Sequence, residues 1–424
     1  MNKIKEFFKK TALYPIYKKT RASFFRFFYG NPQKDLFIVW VTWTDGKTTT
    51  VNLIQKILND NLWKTASLST ALIKVWDEII ENPKKMTSFD PKDLFKYLAI
   101  FKSEWVKYVV LEVSSHWIDQ FRFHWIDFDM AVLTNISEEH LDYHKNIDEY
   151  AEVKKRLFLN VLSNDKPEKY WVLPKDDERG RRWAEELSFD KFLDYGIVSF
   201  ASVKWENIVE DISKTEFDVV YLWKSYHITS NFLLGKHNVY NILAAISVGL
   251  LLGIPLEKIV KSVESFEWLP GRLEKIEKDW KVFFVDFAHT PRALESVLNY
   301  LSQVKEKKWW RLIVLFWAPG ERDPYKRPLM WQIVDKFADI IVLTDDDPAS
   351  ENRYDIIRDV MKWINRKEWE DFYIIPERKL AVKFVKEISE SWDIILLAWK
   401  GHENVQLTNF WKRKYSDKEE LLKD

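Results

Sequence analysis

A short loop rich in hydroxyl groups follows the first strongly apolar run of the chain. Residues 38–50 read IVWVTWTDGKTTT, and a helix-like segment, VNLIQKILND, comes next. Between a strand and a helix, such a loop binds phosphates with its backbone N–H groups and the helix N-terminus. Lys47 would then reach the β- and γ-phosphates, and the Thr48 hydroxyl would bind Mg²⁺. The alternative is a chance strand–turn–helix that contains a lysine. The predicted ATP-binding residues of the loop are Thr44, Asp45, Gly46, Lys47, Thr48 and Thr49.

The elements that must position this loop are buried strands. Seven runs have the length and β-branched content of such strands: LFIVWV, KYVVLEV, DMAVLTNI, VFFVDFA, RLIVLF, DIIVLT and DIILLA. Their continuous apolarity indicates parallel strands covered on both faces, and polar turns follow nearly every one, where α/β proteins place their sites. We therefore predict an α/β fold. The Pro/Gly turn in FEWLPGRLE (266–274) predicts three parts: an N-terminal extension (1–36), a central domain (37–268) and a C-terminal domain (269–424).

Composition excludes several classes of function. The 424 residues include 65 Lys+Arg and 65 Asp+Glu, and a net charge of zero argues against a nucleic-acid partner bound by bulk electrostatics. Without cysteine there is no disulfide, zinc-thiolate site, iron–sulfur cluster or cysteine nucleophile. The apolar runs are shorter than the ~20 residues needed to span a bilayer, and no signal peptide is visible. We predict a cytoplasmic protein.

The first 36 residues are basic and aromatic. Nine Lys or Arg residues oppose only Glu6 and Asp35, and Phe and Tyr side chains are interleaved among them. This pattern predicts one or two short amphipathic helices. They would either pack onto the next domain or contact a membrane surface peripherally.

The longer motif string resembles one enzyme family. TWTDGKTTT is similar to the TGTNGKTTT loop of the Mur ligases, ATP-dependent amide-forming enzymes of peptidoglycan precursor synthesis. The resemblance covers residues 37–424, is closest to the muramyl-tripeptide synthetase branch, and implies a central P-loop ATPase domain followed by a Rossmann-like C-terminal domain. Matching segments follow in the family's order: LEVSSHWIDQFRF (111–123), TNISEEHLDYH (134–144), YAEVKKRLF (150–158), GKHNVYNILAA (235–245), GRLE (271–274), VDFAHTP (285–291), ERDPYKRPLM (321–330), DDDPASE (345–351) and KGHE (400–403).

The resemblance implies that the acceptor carboxylate attacks the γ-phosphate of ATP, and that the amine then displaces phosphate from the acyl-phosphate. Glu112 would hold the same Mg²⁺ as Thr48, and its alternative role is a cap at the strand end. His140 would bind a second Mg²⁺. Lys154 matches the lysine that the synthetases carry as a carbamate, which would help to hold Mg²⁺; its alternative is a solvated helix lysine. The implied catalytic residues are Lys47, Glu112, His140 and Lys154, and the implied nucleotide contacts outside the loop are Asn238 at the adenine, Arg272 at the phosphates and Asp286 at the ribose, with a strand-end cap as the alternative for Asp286.

On the substrate side, the resemblance implies one set of residues for the muramyl-dipeptide and another for the amino acid. Enzymes that use meso-diaminopimelate carry DNPR where this chain has Asp346-Asp347-Pro348-Ala349. Ala349 removes that cation while acidic residues remain, so we predict L-lysine first and ornithine second. The implied acceptor contacts are Thr87, Ser88, Ser114, Gln120 and Arg122, and the implied amino-acid contacts are Arg322, Asp346, Asp347, Trp399 and Glu403.

Two features leave alternatives open. The synthetases normally carry a UDP-muramyl-binding domain before the ATP domain, and only 36 residues precede this first strand, so binding of the UDP moiety is expected to differ. A relative that acts on another carboxylate, such as a folylpolyglutamate synthetase or an amidotransferase partner, is the second interpretation. A non-catalytic nucleotide-binding relative is the third. We expect a monomer whose partners are a UDP-muramyl-peptide and a diamino acid, without nucleic acid.

The chain has 22 tryptophans and only 10 glycines, whereas average usage of about 7% predicts roughly 30 glycines. Several tryptophans stand where the family has glycine, including Trp40, Trp43, Trp117, Trp317 and Trp399. Motif glycines supply left-handed backbone or a close approach to a ligand, which an indole would block. We hypothesise that most of these residues are glycine in the cell, as in lineages that read UGA as glycine; Trp183, in GRRWAEEL, is an exception. The rival is a degenerate relative that does not catalyse.

Overall fold

The computed structural model of the chain describes residues 11, 13–42, 45–82, 89–136, 146–187, 190–197, 200–267, 269–317, 320, 326–345, 347, 348, 351–361, 366, 368–407 and 412–423. Predicted site residues outside the described part are Thr44, Thr87, Ser88, His140, Arg322 and Asp346. No described helix is both long and apolar enough to cross a membrane.

The first sheet has eleven strands in the described residues and is mixed. Its order is β11-β10-β9-β8-β7-β6-β1-β5-β2-β3-β4. The centre, from β9 through β8, β7, β6, β1 and β5 to β2, is parallel, and both edges are antiparallel. The strands are β1 (Phe37–Thr42), β2 (Thr65–Leu68), β3 (Leu72–Val75), β4 (Glu78–Glu81), β5 (Tyr108–Val113), β6 (Met130–Leu133), β7 (Tyr170–Pro174), β8 (Lys191–Gly196), β9 (Val203–Glu210), β10 (Thr215–Tyr221) and β11 (Lys224–Ser230).

The second sheet lies in the C-terminal half and has the order β12-β13-β17-β14-β15-β16. Only β12 pairs antiparallel, with β13. The strands are β12 (Glu274–Lys278), β13 (Lys281–Val285), β14 (Leu312–Phe316), β15 (Ile340–Leu343), β16 (Phe372–Ile374) and β17 (Ile394–Leu397), and a separate antiparallel pair is formed by β18 (Val405–Leu407) and β19 (Lys412–Lys414). The predicted α/β fold with a mostly parallel sheet is confirmed; the exact boundary at 268/269 stays a prediction.

Helices cover the sheets, which explains why the central strands are apolar along their whole length. Val39 and Val41 of β1 face one core, whereas Ile38 and Trp40 face the core on the opposite side of the sheet. The helices are α1 (Leu13–Phe28), α2 (Lys47–Asn61), α3 (Pro91–Ser103), α4 (Ser115–Asp119), α5 (Ile147–Ser163), α6 (Glu178–Glu186), α7 (Lys236–Leu251), α8 (Leu256–Glu264), α9 (Pro291–Lys308), α10 (Lys326–Phe337), α11 (Arg353–Met361), α12 (Arg378–Ile388) and α13 (Asp417–Leu422), with a short 3₁₀ helix at Pro32–Asp35.

The N-terminal extension contains α1, and this helix packs onto the central domain. Arg21 forms a bidentate ion pair with Asp90, the residue that caps α3, at 2.6 Å. Ala22 of α1 is buried. One face of α1 therefore packs onto the central domain, which is one of the two alternatives predicted for this segment.

Candidate active site

The carboxyl ends of the parallel strands in both sheets face a cavity of about 900 Å³. In doubly wound sheets this edge is where ligands bind, because the loops after the strands converge there. Residues of both sheets line it, so the site lies between the two halves of the chain. The predicted site residues in its lining are Asp45, Gly46, Lys47, Thr49, Glu112, Ser114, Asn238, Arg272, Asp286, Asp347, Trp399 and Glu403.

Gly46 gives the loop after β1 its shape. Its φ is +87°, and it precedes α2, which begins at Lys47. A Cβ atom here would lie 2.2 Å from Oδ1 of Asn241, so no side chain fits. The helix N-terminus is thereby left open to the cavity, which suits the binding of an anion by backbone N–H groups.

Asp45 ties the loop to both halves of the chain. Its backbone N–H donates to Asn135 Oδ1 at 3.3 Å, and Asn135 Nδ2 donates back to its carbonyl at 3.1 Å. From the C-terminal half, the Thr290 hydroxyl donates to Asp45 Oδ1 at 2.9 Å. Thr290 also caps α9 by accepting from the N–H of Ala293. The phosphate loop is thus held in place by residues on either side of the cavity.

Thr48 and Glu112 meet at the start of α2. The Thr48 hydroxyl donates to Glu112 Oε2 at 3.2 Å, and both side chains are buried. Glu112 also accepts from the N–H and the hydroxyl of Thr70, at 2.6 and 2.8 Å. These three donors are the Thr48 side chain and Thr70, which lies between β2 and β3, and not the backbone N–H groups of a helix's first turn, as a helix cap would require. A hydroxyl and a carboxylate side by side beneath a phosphate loop are the oxygen donors that Mg²⁺ prefers, so these residues fit the ion.

Arg272 reaches the same place from the segment that joins the two sheets. Its Nη2 donates to Thr48 Oγ1 at 3.1 Å, and its guanidinium lies 5.0 Å from the ring centroid of Phe287. Burial lowers the pKa of Arg272, while Asp286, Glu112 and Asp45 oppose that shift. The guanidinium is placed beside the Thr48 hydroxyl at the start of α2, whereas the carboxylates around it suit a divalent cation that would offset the charge of a polyphosphate.

Asp286 directly follows β13 and is buried. Its Oδ2 accepts from the N–H of Leu273 at 2.5 Å, which holds the turn after Arg272. Burial raises the pKa of Asp286 to about 6, although the neighbouring Arg272 acts in the opposite direction. The hydrogen bond from Leu273 agrees with the alternative role of Asp286 as a cap at the end of the strand. The role of Asp286 at the ribose stays a prediction.

Lys154 lies in α5 and is fully buried. Its ammonium lies 4.2 Å from the ring centroid of Tyr150, one helical turn earlier. The alternative of a solvated helix lysine is therefore wrong. Its neighbour Lys155 instead pairs with Glu186, and the assignment of the carbamate to Lys154 stays a prediction.

Asn238 lies near the start of α7 and is buried. Its Nδ2 donates to the carbonyl of Leu234 at 2.8 Å, and its Oδ1 accepts from Asn241 at 3.0 Å. Burial lowers the pKa of the adjacent His237 to about 4, so that imidazole is neutral at pH 7. This part of the cavity lining is uncharged and forms hydrogen bonds, which suits the adenine of a nucleotide.

The predicted acceptor contacts divide into two groups. Ser114 precedes α4 and lines the cavity. Arg122 donates through Nε and Nη2 to Oε1 of Gln120, at 3.1 and 2.7 Å, and neither residue lines the cavity. The structure therefore does not bring Gln120 and Arg122 together with the phosphate loop.

Where the amino acid is predicted to bind, the acidic residues Asp347 and Glu403 line the cavity beside the buried Lys400. Lys400 is fully buried and its Nζ lies 3.5 Å from Asp347 Oδ1 and 3.3 Å from Glu403 Oε2. Asp347 also accepts from the N–H of Leu407 at 2.5 Å. Trp399 precedes Lys400 with a φ of +86°, and its ring centroid is 5.9 Å from those of His289 and Trp317.

Sequence reasoning missed several residues of the site. Thr70 positions Glu112, Thr290 links the halves, and Lys400 balances the acidic pair. Arg327 lines the cavity and pairs with Glu351 at 2.8 Å and Asp359 at 3.2 Å. Lys400 and Arg327 lie inside motifs that carry the resemblance, so their motif context was the available signal; Thr70 had none.

Comparison with known proteins places these features in a family context. The family model described as Mur ligase middle domain matches residues 41–249, and that described as Mur ligase, glutamate ligase domain matches 271–401. A UDP-N-acetylmuramoyl-L-alanyl-D-glutamate–2,6-diaminopimelate ligase of Syntrophomonas wolfei is 34% identical over 404 residues, covering 93% of this chain and 80% of the relative. The enzyme of the same name from Caldanaerobacter subterraneus is 36% identical over 382 residues, covering 90% and 76%.

Solved structures give the same result. A structure titled as a UDP-N-acetylmuramoyl-L-alanyl-D-glutamate–2,6-diaminopimelate ligase aligns with a TM-score of 0.64 at 29% identity, over 95% of this chain and 82% of the other. Folylpolyglutamate synthase of Mycobacterium tuberculosis aligns with a TM-score of 0.73 at 15% identity, over 90% and 92%. The second likeness shows the shared fold alone.

Proposed function

The chain belongs to the Mur ligase family, whose members are ATP-dependent, ADP-forming ligases, and we propose that this one adds a diamino acid to a UDP-N-acetylmuramoyl-L-Ala-D-Glu acceptor. The observation that carries the proposal is the convergence of Thr48, Glu112 and Arg272 beneath the open phosphate loop. These groups come from three separate segments, and together they provide the donors that a nucleotide and its metal require.

The reaction forms one amide bond and consumes one ATP. An oxygen of the acceptor carboxylate attacks the γ-phosphorus, the bond from that phosphorus to the β–γ bridging oxygen breaks, and ADP leaves. The amine of the incoming amino acid then attacks the acyl carbon, loses a proton and expels inorganic phosphate. The first step crowds anions together, so Lys47 and Arg272 would offset the charge from two sides of the cavity.

Magnesium would be held by Thr48 and Glu112, where it would neutralise phosphate charge. Lys154 would add to the metal site if its ammonium were converted to a carbamate, as in the synthetases that the chain resembles. Its burial supports this proposal, because burying a charged ammonium costs free energy, whereas a carbamate bound to Mg²⁺ would have its charge offset by the metal.

For the amino acid, we propose L-lysine. Asp347 and Glu403 share the single cation of Lys400, so these three side chains carry a net negative charge. Ala349 provides no cation for a distal carboxylate, and an ammonium at that position would meet acidic neighbours. The named relatives are diaminopimelate ligases, so the two amino acids must be compared directly.

The test is phosphate release that depends on both co-substrates. Protein with glycine at positions 43, 317 and 399 is assayed beside protein with tryptophan at these positions, with ATP, Mg²⁺ and UDP-muramyl-dipeptide, and with L-lysine, ornithine or meso-diaminopimelate in turn. We expect a tripeptide product by mass spectrometry, fastest with L-lysine, and slower turnover in Glu112→Gln at the same Mg²⁺ concentration. Equal rates with lysine and diaminopimelate would reject the choice of amino acid, and turnover only with a folate and glutamate would reject the muramyl acceptor.

A further inference from the structure

Tryptophan occupies backbone conformations that L-residues avoid. Sixteen non-glycine residues among those described have a positive φ in the left-handed region. Since 22 of 424 residues are tryptophan, sixteen positions drawn at random would include about one. Nine of the sixteen are tryptophan: Trp76, Trp105, Trp125, Trp223, Trp280, Trp309, Trp369, Trp392 and Trp399.

Two hairpins show what these positions require. The turn between β10 and β11 consists of Leu222 and Trp223, with φ of +47° and +65°, and that between β12 and β13 consists of Asp279 and Trp280, with φ of +52° and +61°. Left-handed backbone at both central residues defines the type I′ turn, whose usual sequences are Asn-Gly and Asp-Gly. Trp223 is fully exposed, so its indole gains no packing in return.

Two helix ends show the same requirement. After α3, the N–H of Val106 donates to the carbonyl of Phe101 at 3.0 Å, and Trp105 between them has a φ of +59°. After α9, Trp310 donates to Lys305 at 3.1 Å, and Trp309 has a φ of +61°. This six-to-one bond with a left-handed residue is the Schellman motif, in which that residue is usually glycine.

A second, independent sign comes from buried tryptophans. The indole N–H groups of Trp40, Trp205, Trp317 and Trp331 are buried and find no acceptor among the described residues. A buried indole N–H normally has a partner, because leaving it unpaired costs stabilisation. One of these residues adjoins the site: Trp317 lines the cavity, and its ring lies 5.9 Å from that of Trp399.

We infer that these positions are glycine in the organism's own protein, inserted at UGA codons that the standard code translates as tryptophan. Glycine removes the left-handed strain at the turns, the unpaired N–H groups in the core and two indoles from the amino-acid end of the cavity. Trp183 is different, because it lies inside α6 with ordinary helical backbone and packs on Phe158 at 5.3 Å. It is a tryptophan in the native chain.

Two measurements test this inference without reference to catalysis. The gene should carry UGA at positions 223, 280, 105 and 309 and UGG at position 183, and tryptic peptides of the native protein should carry the mass of glycine at the first four. UGG at the two hairpin positions would overturn the inference. In recombinant protein, Trp223→Gly and Trp280→Gly should each raise the folding equilibrium constant by about fivefold, whereas Trp183→Gly should lower it. Equal destabilisation by all three substitutions would also overturn it.

A different observation concerns α1. Its inner face is fixed by the Arg21–Asp90 pair and contains the buried Ala22. Its outer face carries large apolar side chains at helical spacing, and Phe27 is 81% exposed. The exposed residues are Leu13, Ile16, Tyr17, Phe24, Phe27 and Phe28.

The charge of α1 identifies what this face would contact. Between residues 13 and 28 there are Lys18, Lys19, Arg21 and Arg26 and no acidic residue. An aromatic stripe flanked only by cations complements the surface of an anionic bilayer, where the rings enter the headgroup boundary. We propose that α1 lies in the plane of an anionic membrane surface and docks the enzyme there.

Vesicle flotation tests this docking. The full chain is mixed with vesicles of phosphatidylglycerol and phosphatidylcholine, or of phosphatidylcholine alone, at low salt. We expect binding to the anionic vesicles only, reduced at least tenfold in Phe24→Ser/Phe27→Ser/Phe28→Ser and unchanged in the control Phe200→Ser, whose ring is 98% exposed on a distant loop. Unfolding midpoints of both variants should match the parent's. No binding to anionic vesicles, equal binding by the triple variant, or self-association through this face without vesicle binding would overturn the proposal.

Discussion

Replacing Glu112 by glutamine separates the metal-binding role of this side chain from its structural role. The carboxylate accepts three hydrogen bonds, from the Thr48 hydroxyl, the Thr70 N–H and the Thr70 hydroxyl. A glutamine oxygen in the place of Oε2 still accepts from Thr48 and from the Thr70 N–H. Its amide then donates to the Thr70 hydroxyl oxygen, which is able to accept. The substitution therefore keeps the network and removes only the charge.

The magnitude follows from that accounting. Because no buried group is left unpaired, we expect the free energy of unfolding to change by less than about 1 kcal/mol. The metal loses a charged ligand, and a charged partner contributes about 1.5–3 kcal/mol. That corresponds to a rise of roughly 10- to 150-fold in the Mg²⁺ concentration that gives half-maximal activity. Glu112→Ala should in addition destabilise the fold, because Thr70 and Thr48 lose their buried acceptor.

The assay is amino-acid-dependent phosphate release across a Mg²⁺ titration, with chemical unfolding of the same samples. Glu112→Gln should show the displaced titration with an unchanged unfolding midpoint. If it required no more Mg²⁺ than the parent, Glu112 would not be a metal ligand. If instead its unfolding midpoint fell as far as that of Glu112→Ala, the exchange of donors around Thr70 would be wrong.

Four further outcomes are expected. Arg272→Lys keeps the charge but loses the planar contact, and should lower kcat/KM for ATP by about 10- to 100-fold without shifting the unfolding midpoint. Lys154→Met preserves buried volume and removes the group that would form a carbamate, so phosphate release should fall by about 100-fold while the fold persists. Burial raises the pKa of Asp345 to about 6 from 3.8, so the native state loses stability as pH rises from about 4 to 7. Asp345→Asn does not titrate, so its free energy of unfolding relative to the parent's should increase by up to about 3 kcal/mol across that range, measured by urea unfolding at each end. Ala349→Arg should shift the preference from L-lysine toward meso-diaminopimelate, measured as the ratio of kcat/KM values.

The central strands and the phosphate loop were predictable because their signals are local. β1, β5 and β6 are mostly apolar runs, and each is followed within three positions by a polar residue that lines the cavity: Asp45, Ser114 and Thr134. The contacts between the halves were not predictable in this way. Arg272 meets Thr48 across 224 positions of sequence, and Thr290 meets Asp45 across 245, so only the folded chain shows that these pairs close the site. The motif resemblance predicted that Arg272 contacts the phosphates, but it did not predict the hydrogen bond from Arg272 to Thr48.

The hairpins that sequence reasoning missed share one cause. Strands β3 and β4, β10 and β11, and β12 and β13 are joined by two-residue turns, and each turn contains a tryptophan with a positive φ. A dipeptide such as Asp-Gly between alternating residues is the strongest short-range sign of a hairpin, and Asp279-Trp280 conceals that sign. The same substitution conceals the helix end at Trp105, where glycine would have marked the stop. If these positions are glycine in the native chain, the native sequence predicts the same turns that the backbone adopts.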